Sequence, residues 1–333
     1  MGNAFTRYQI EDRSYAAFIK KEIRNQAAAA GFNSIEGGKI DIIVSELTSN
    51  LVKHAGGGEL LYRVLPDGPT FEIICIDKGL GIKDIPRAMK DGVSTTKTLG
   101  QGLGSMERLS TVFQVFSLPD WGTIIYSSLK IGKNVEKRNE DMEVRSLLVP
   151  KLHEEFCGDG YAIVHNKSHT KILFGDGLGH GKHAFDAVEA AKDFFLESRE
   201  IDPVGMLRGI HDRVKRTRGL VASVAVLNKE TRLWSLCGIG NIMTRIYSGI
   251  EYRSYMGYNG TVGLNVPRSM KATEIPAERN QHLIMCSDGI TTRWNLNKYP
   301  YIFKYDPLVM ASAIYKDFAR GTDDASVFIA KGN

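Results

Sequence analysis

The stretch "FGDGLGHGKHA", residues 174–184, sets four glycines, Gly175, Gly177, Gly179 and Gly181, around one aspartate between an apolar run and a helix-like run. A glycine-rich turn from strand to helix ordinarily holds phosphate on backbone N–H groups. Two features argue against that here. A Walker A loop needs G-x-x-x-x-G-K-[ST], whereas Asp176 takes the first glycine position and Lys182 is followed by His183. An acid inside the turn repels phosphate and attracts a hard divalent cation that takes oxygen ligands. The turn is therefore one arm of a metal site, and its other oxygens must come from elsewhere.

Outward from it, further aspartates occupy similar settings. Asp159 in "FCGDGYAIV" precedes a strand-like run, Asp288 in "LIMCSDGIT" ends one, and Asp323 with Asp324 in "GTDDASVFIA" precede the last. Each alone fits an ordinary turn. Together, with two Asp-Gly turns directly after apolar strands, they point to strand ends gathered on one rim, where several carboxylates must share cations. The order G-D, D-G-x-G-H-G, G-x-G-N (Gly238 to Asn241), S-D-G and D-D-x-[ST] resembles the metal-dependent protein phosphatases (PPM) of the SpoIIE and RsbX branch, over roughly 150 to 333. The resemblance implies an αββα sandwich with two Mn²⁺ or Mg²⁺ ions. It places Asp176 between the metals, the Gly177 carbonyl on one, and Asp288 and Asp323 on the other, with Asp159 an acidic neighbour and Asp324 the alternative to Asp323. It implies hydrolysis of phosphoserine or phosphothreonine by water, with no nucleophilic side chain. Cys286 and Ser287 then read as packing residues, His183 as structural, and His180 as structural with a second reading in proton transfer.

The amino-terminal part carries a different pattern. "VSELTSNLVKHAGGG" (44–58) places Glu46, Asn50 and either Lys53 or His54 on one helix face. "IICIDKGLGI" (73–82) follows an apolar strand with Asp77, Gly79 and Gly81, and "TLGQGLGSMERL" (98–109) sets Gly100, Gly102 and Gly104 at a helix start. The last is G-x-G-x-G with no strand immediately before it, so it is not a Rossmann turn. Its glycines allow backbone N–H groups to close on a polyphosphate. These boxes, followed by Gly122-Thr123 on a late strand, resemble the GHKL ATPases (Bergerat fold) over about 1 to 131. The resemblance implies ATP with Mg²⁺, Asn50 on the metal, Asp77 on the adenine amino group, Thr123 nearby, Glu46 as general base, and Lys53 or Lys97 on phosphate. No histidine precedes His54, which disfavours a histidine kinase. The wording around Glu46 most resembles RsbT-like serine kinases of partner-switching systems.

The fold class expected is thus α+β in two domains: residues 1–131, a charged linker at 132–149 around "GKNVEKRNEDMEVRS", and 150–333. Strand-like runs at 161–165, 171–175, 221–227, 233–237, 243–247, 283–287 and 326–330 do not alternate regularly with the helical stretches at 182–199, 203–217 and 306–319. That pattern favours a sandwich of antiparallel sheets with helices outside. The 333 residues suit two cores. A balance of 43 basic to 38 acidic residues, net +5, argues against a nucleic-acid partner. Four separated cysteines predict buried reduced thiols in a cytoplasmic protein, and no run of about 18 apolar residues predicts a membrane span. The resemblances imply a kinase and phosphatase acting on a STAS-domain anti-sigma-factor antagonist or stressosome-type protein, and a GHKL homodimer. The rival reading is a phosphatase regulated by a GHKL domain that binds nucleotide or partner without transferring phosphate.

Overall fold

The computed structural model describes residues 3–12, 15–65, 69–90, 102–131 and 142–332. The chain divides into two units, one of Asn3–Lys137 with Tyr299–Ala313, the other of Arg138–Lys298 with Ile314–Asn333.

In the first unit, β1 (Thr6–Ile10) and two helices, α1 (Ala16–Ala29) and α2 (Ser34–Asn50), lead into a one-turn π-helix, Leu51–Ala55. Then come β2 (Gly58–Leu65), β3 (Thr70–Ile76), the short α3 (Ile85–Ala88), α4 (Gly102–Leu109), β4 (Val112–Leu118) and β5 (Gly122–Lys130). Asn33 starts α2 with a capping box: its side chain accepts from the Glu36 amide while the Glu36 carboxylate accepts from its own. The strands form one antiparallel sheet in the order β1-β2-β3-β5-β4. Alternate residues of these strands, among them Leu60, Tyr62, Ile73, Cys75 and Ile125, pack against Ile19, Ile23, Ile40, Ile43 and Leu47 from α1 and α2. The alternation in between is buried too, and Glu72 there is matched by the Arg63 guanidinium at 2.7 Å and the Tyr126 hydroxyl at 2.8 Å. Phe116 on β4 meets Tyr305 edge-on at 5.1 Å, Trp121 meets Tyr299 at 5.5 Å, and the Asp306 amide donates to Gln114 Oε1, which attaches Tyr299–Ala313 to this unit.

The second unit contains β6 (Met142–Val149), β7 (Asp159–His165), β8 (His169–Gly177), α5 (Lys182–Glu197), α6 (Pro203–Val214), β9 (Leu220–Asn228), β10 (Leu233–Ile239) and β11 (Met243–Ser248). It continues with β12 (Glu251–Tyr255), β13 (Thr273–Pro276), β14 (His282–Cys286), α7 (Pro307–Phe318), which begins in the first unit, and β15 (Ala325–Gly332). Two antiparallel sheets result, β13-β10-β9-β8-β7 and β12-β11-β14-β15-β6. Phe174 and Tyr161 of one meet Phe328 of the other, closing the sandwich. Helices α5 and α6 cover the first sheet through Val188, Ala191, Phe195, Met206, Leu207 and Ile210.

The strands and helices expected in both halves are present. Residues 142–149, expected to be linker, are instead the edge strand β6, paired along its length with β15. The charged residues Glu143 and Arg145 obscured it, because an edge strand leaves some side chains to solvent while Leu147 and Val149 are buried. The segment 299–313, expected within the carboxy-terminal domain, groups with the first unit. All four cysteines are reduced and buried. Among the described residues no helix is long and apolar enough to cross a membrane.

Candidate functional site

The β7–β8 ladder places Asp159 directly across from Asp176. Both lie at the same rim of the sandwich as the end of β14, which runs into Asp288, and the start of β15, which follows Asp323 and Asp324. Close backbone approach is what the glycines of these motifs permit. A Cβ on Gly289 would stand 1.9 Å from the Asp324 carbonyl oxygen, and one on Gly177 would stand 2.3 Å from that of Ala184 at the start of α5. The rim can therefore be this tight only with glycine at those two positions.

Its charges are concentrated, and among the described residues no ion pair joins Asp159, Asp176, Asp288 or Asp323 to a Lys or Arg. Asp159 is 5% exposed, and its Oδ2 has no hydrogen-bond partner among the described residues. Burial, then the nearby Asp324 charge, push the Asp159 carboxyl above the usual carboxylate range, against the pull of the Ser326 and Ser287 hydroxyls. Asp176 is shifted the same way, by burial first and by Asp159 and Asp288 next, although the Asp288 amide donates to it. Asn241, from the turn between β10 and β11, donates from Nδ2 to Asp288 Oδ2 at 3.0 Å.

The adjacent pair Asp323 and Asp324 differ in their duties. Asp324 is buried; Oδ1 accepts from the Lys151 amide at 2.7 Å and Oδ2 from the Gly158 amide at 2.8 Å. Asp323 is half-buried and accepts from the Asp324 amide through Oδ1. His180 turns away to Glu154, Nδ1 to Oε1 2.6 Å. Cys286 is fully buried, its thiol pushed up by burial, and Ser287 accepts the Ser326 amide at 3.1 Å, so both pack rather than point outward.

An orphaned buried carboxylate oxygen among mutually repelling carboxylates is the donor chemistry of a hard divalent cation. Among the described residues no three His, Cys, Asp or Glu side chains already converge on one point. Carboxylates at this rim would thus share cations with carbonyl and water oxygens, a mixture that Mg²⁺ and Mn²⁺ accept.

In the first unit, α2 carries Glu46 and Asn50, both half-buried. A Cβ on Gly102 would lie 2.7 Å from Glu46 Oε2, so the glutamate sits against the start of α4. Asp77, just past β3, accepts through Oδ1 from the Gly79 amide at 2.8 Å and the Thr123 amide at 3.1 Å, while its own amide donates to the Thr123 carbonyl. Thr123 is held in turn by the Ser117 hydroxyl at 3.0 Å. Gly81 has φ +75°, and a Cβ there would stand 2.1 Å from the Leu118 carbonyl oxygen. Gly104 is buried on α4. Gly100 and Lys97 lie outside the described residues. Lys53 and His54 are exposed on the π-helical turn, whose wider spacing ends the α-helical face that Glu46 and Asn50 share.

Three supporting residues were not singled out from sequence: Ser117 behind Thr123, Glu154 on His180, and Asn241 on Asp288. Glu154 lies 26 residues from His180, so no spacing signals it; Ser117 faces Thr123 across the β4–β5 turn, where a strand serine carries no signal of its own. Asn241 was visible as the end of a G-x-G-N turn, and only the fold shows which aspartate it holds.

No family model matches the chain. Over 104 residues, 31% of this chain and 78% of the relative, it is 38% identical to the serine/threonine-protein kinase RsbT of Bacillus subtilis (strain 168). Over 155 residues, 46% of this chain and 77% of the relative, it is 23% identical to the phosphoserine phosphatase RsbX of the same organism. The solved structure of RsbX in complex with magnesium matches with a TM-score of 0.52 at 19% identity, covering 67% of this chain and 100% of that one. A structure from a study of the bacterial stressosome as a modular system controlling secondary messenger signalling also gives 0.52, at 24% identity, covering 57% of this chain and 100% of that one. At such identities the structural matches speak to the fold alone. The chain belongs to the family of the serine/threonine kinase RsbT, and the same polypeptide carries a second region homologous to the phosphatase RsbX.

Proposed function

We propose that this protein is a partner-switching regulator with two opposed activities: transfer of phosphate from ATP to a serine or threonine of a STAS-domain protein by the first unit, and metal-dependent removal of such phosphate by the second. The observation that carries the phosphatase half is the aspartate rim, with Asp159 and Asp176 facing across β7 and β8 and one buried oxygen left without a partner.

In this reading Asp176, the Gly177 carbonyl, Asp288 and Asp323 would hold Mn²⁺ or Mg²⁺. Asp324 is the framework residue, since two amides already occupy its oxygens. When bound, the ions supply charge neutralisation at the phosphoryl oxygens and acidify water. Asn241 holds Asp288 in place, and Asp159 contributes negative charge beside Asp176.

The kinase half rests on the 38% identity to RsbT and on the grouping of Glu46 with the start of α4 and of Asp77 with Thr123. Here the first unit is a GHKL domain binding ATP with Mg²⁺. Asn50 would hold the metal ion and Asp77 the adenine amino group with Thr123 beside it, and Glu46 would take the proton of the attacking hydroxyl. The amides around Gly102 and Gly104 meet phosphate at the α4 start, where the helix dipole favours it.

The test incubates purified protein, Mg²⁺ and γ-labelled ATP with candidate STAS-domain proteins, beside an Asp176→Asn variant. Label is expected on the STAS protein, persisting with the variant and lost with the unsubstituted protein. Nucleotide binding with no transfer by either protein, alongside release of phosphate from a phosphorylated STAS protein, would instead establish a nucleotide-sensing phosphatase.

A further inference from the structure

Antiparallel register carries one arginine to the edge of the aspartate rim. On the β8–β9 ladder Asp176 pairs with Val221 and Gly177 with Leu220. One step beyond, the Leu178 amide donates to the Gly219 carbonyl at 3.0 Å. The next position sets Arg218 against Gly179, and a Cβ built on that glycine would stand 3.0 Å from Arg218 Nη1. The guanidinium thus lies against the D-G-x-G turn three residues past Asp176, where the absence of a side chain leaves room for it.

Arg213, Arg216 and Arg218 are all exposed; what separates Arg218 from the other two is its place, against Gly179 of the D-G-x-G turn, and what separates it from the nearby lysines and His180 is the lack of an acidic partner. Lys182 and Lys215 are exposed and paired with Asp186 and Asp212 on their own helical turns. His180, the basic side chain within the D-G-x-G turn itself, is taken up by Glu154 at 2.6 Å. Arg218 is exposed, and among the described residues no carboxylate lies within ion-pair distance of it. A positive, planar, five-donor group with no ion pair among the described residues therefore stands against the turn that carries Asp176. A phosphate monoester dianion brought to that rim has oxygens turned away from it as well as toward it. Two of those oxygens match the guanidinium fork, a geometry that an ammonium cannot reproduce.

We infer that Arg218 receives the phosphoryl group of the substrate and sets the preference of the second unit for phosphate monoesters, an inference that rests on the phosphatase reading of the rim. The group recognised is the phosphoryl itself, so the effect extends to a phosphoester without any protein attached.

The test compares the full chain with its Arg218→Ala, Arg218→Lys and Lys215→Ala variants, all loaded with Mn²⁺. KM and kcat are measured for p-nitrophenyl phosphate, and binding of inorganic phosphate and of Mn²⁺ is measured by calorimetry. Arg218→Ala is expected to raise KM and the dissociation constant for inorganic phosphate by about tenfold or more, equivalent to about 1.4 kcal/mol. Arg218→Lys falls between it and the unsubstituted protein, because charge is kept and the fork is lost. Mn²⁺ affinity stays within about twofold, and Lys215→Ala, which removes the same charge nearby, changes neither constant by more than about twofold.

Equal effects of Arg218→Ala and Lys215→Ala would overturn the assignment in favour of general charge. A fall in Mn²⁺ affinity with Arg218→Ala would overturn it in favour of a structural role for the turn. An effect confined to phosphoprotein substrates, with p-nitrophenyl phosphate untouched, would overturn it in favour of partner docking. If the unsubstituted protein binds inorganic phosphate and Arg218→Ala does not, the assignment stands even where turnover is absent, and the phosphatase reading alone fails. If the unsubstituted protein neither binds phosphate nor hydrolyses p-nitrophenyl phosphate, both fall.

Discussion

Asp323 and Asp324 are adjacent in sequence, yet their substitutions should fail in different ways. Asp324 ties the Lys151 and Gly158 amides to the start of β15 while buried, so Asp324→Asn turns one acceptor into a donor facing an N–H. The expected cost is about 1–3 kcal/mol of stability, metal or no metal. Asp323→Asn should leave the metal-free melting temperature within about 2 °C and abolish much of its rise on adding Mn²⁺. Thermal denaturation of both variants with and without Mn²⁺ checks this, and the opposite assignment of losses would exchange the two roles. At this scale the carboxylates were legible in sequence, because an acid after an apolar run next to glycine is a local pattern. The preference for Asp323 over Asp324 came from the motif resemblance alone; the reason Asp324 is tied up, two amides more than 160 residues away, could not be read from sequence. Arg218 was equally silent, as an arginine in a basic turn reads as surface until the β8–β9 register brings it to Gly179.

Strand β14 leads to Asp288 and carries a titratable group of its own. His282 is buried with Tyr247 and Lys331 as its cross-strand neighbours. Burial first, and the Lys331 charge second, push its pKa down to about 4, against a lift from the Asn280 backbone. The folded protein thus resists protonation at a site the unfolded chain protonates near pH 6.5. Stability from this group is complete above about pH 6.5 and declines as pH falls toward about 4, by up to roughly 3 kcal/mol. Urea melts across that range should show the decline, and His282→Gln should flatten it; an equal slope in the variant would assign the acid sensitivity to other groups. Element existence followed the apolar runs of the sequence, and the failures share a cause. Strand β6 hides behind Glu143 and Arg145 because its pairing with β15 is non-local, and β1 needs β2 beside it to be seen as a strand. The π-helical turn after Asn50 broke the helical face assumed for Lys53, since sequence periodicity assumes an unbroken α-helix.

At the scale of the molecule, the chain leaves the first unit, returns to it for Tyr299–Ala313, and leaves it again along α7. No compositional signal marks that return, because Tyr299, Tyr305 and Leu308 look like core residues of whichever unit surrounds them. A protease site inserted between residues 132 and 141 would leave that segment on the carboxy-terminal fragment. The two fragments are then expected to elute together in size-exclusion chromatography, held by Phe116, Trp121 and Gln114 against Tyr299, Tyr305 and Asp306. Separate elution would show that these contacts do not hold the segment.

The same threading bears on the order of synthesis. A ribosome delivers β1 through β5 early, but the segment that Phe116 and Trp121 pack against emerges only after Asp288 has been made. Until then β4 carries exposed aromatic rings, the kind of surface on which nascent chains mispair or recruit chaperones. The first unit therefore cannot reach its final packing on a chain truncated before Asp288, so an interrupted message yields no finished amino-terminal unit without the aspartate rim.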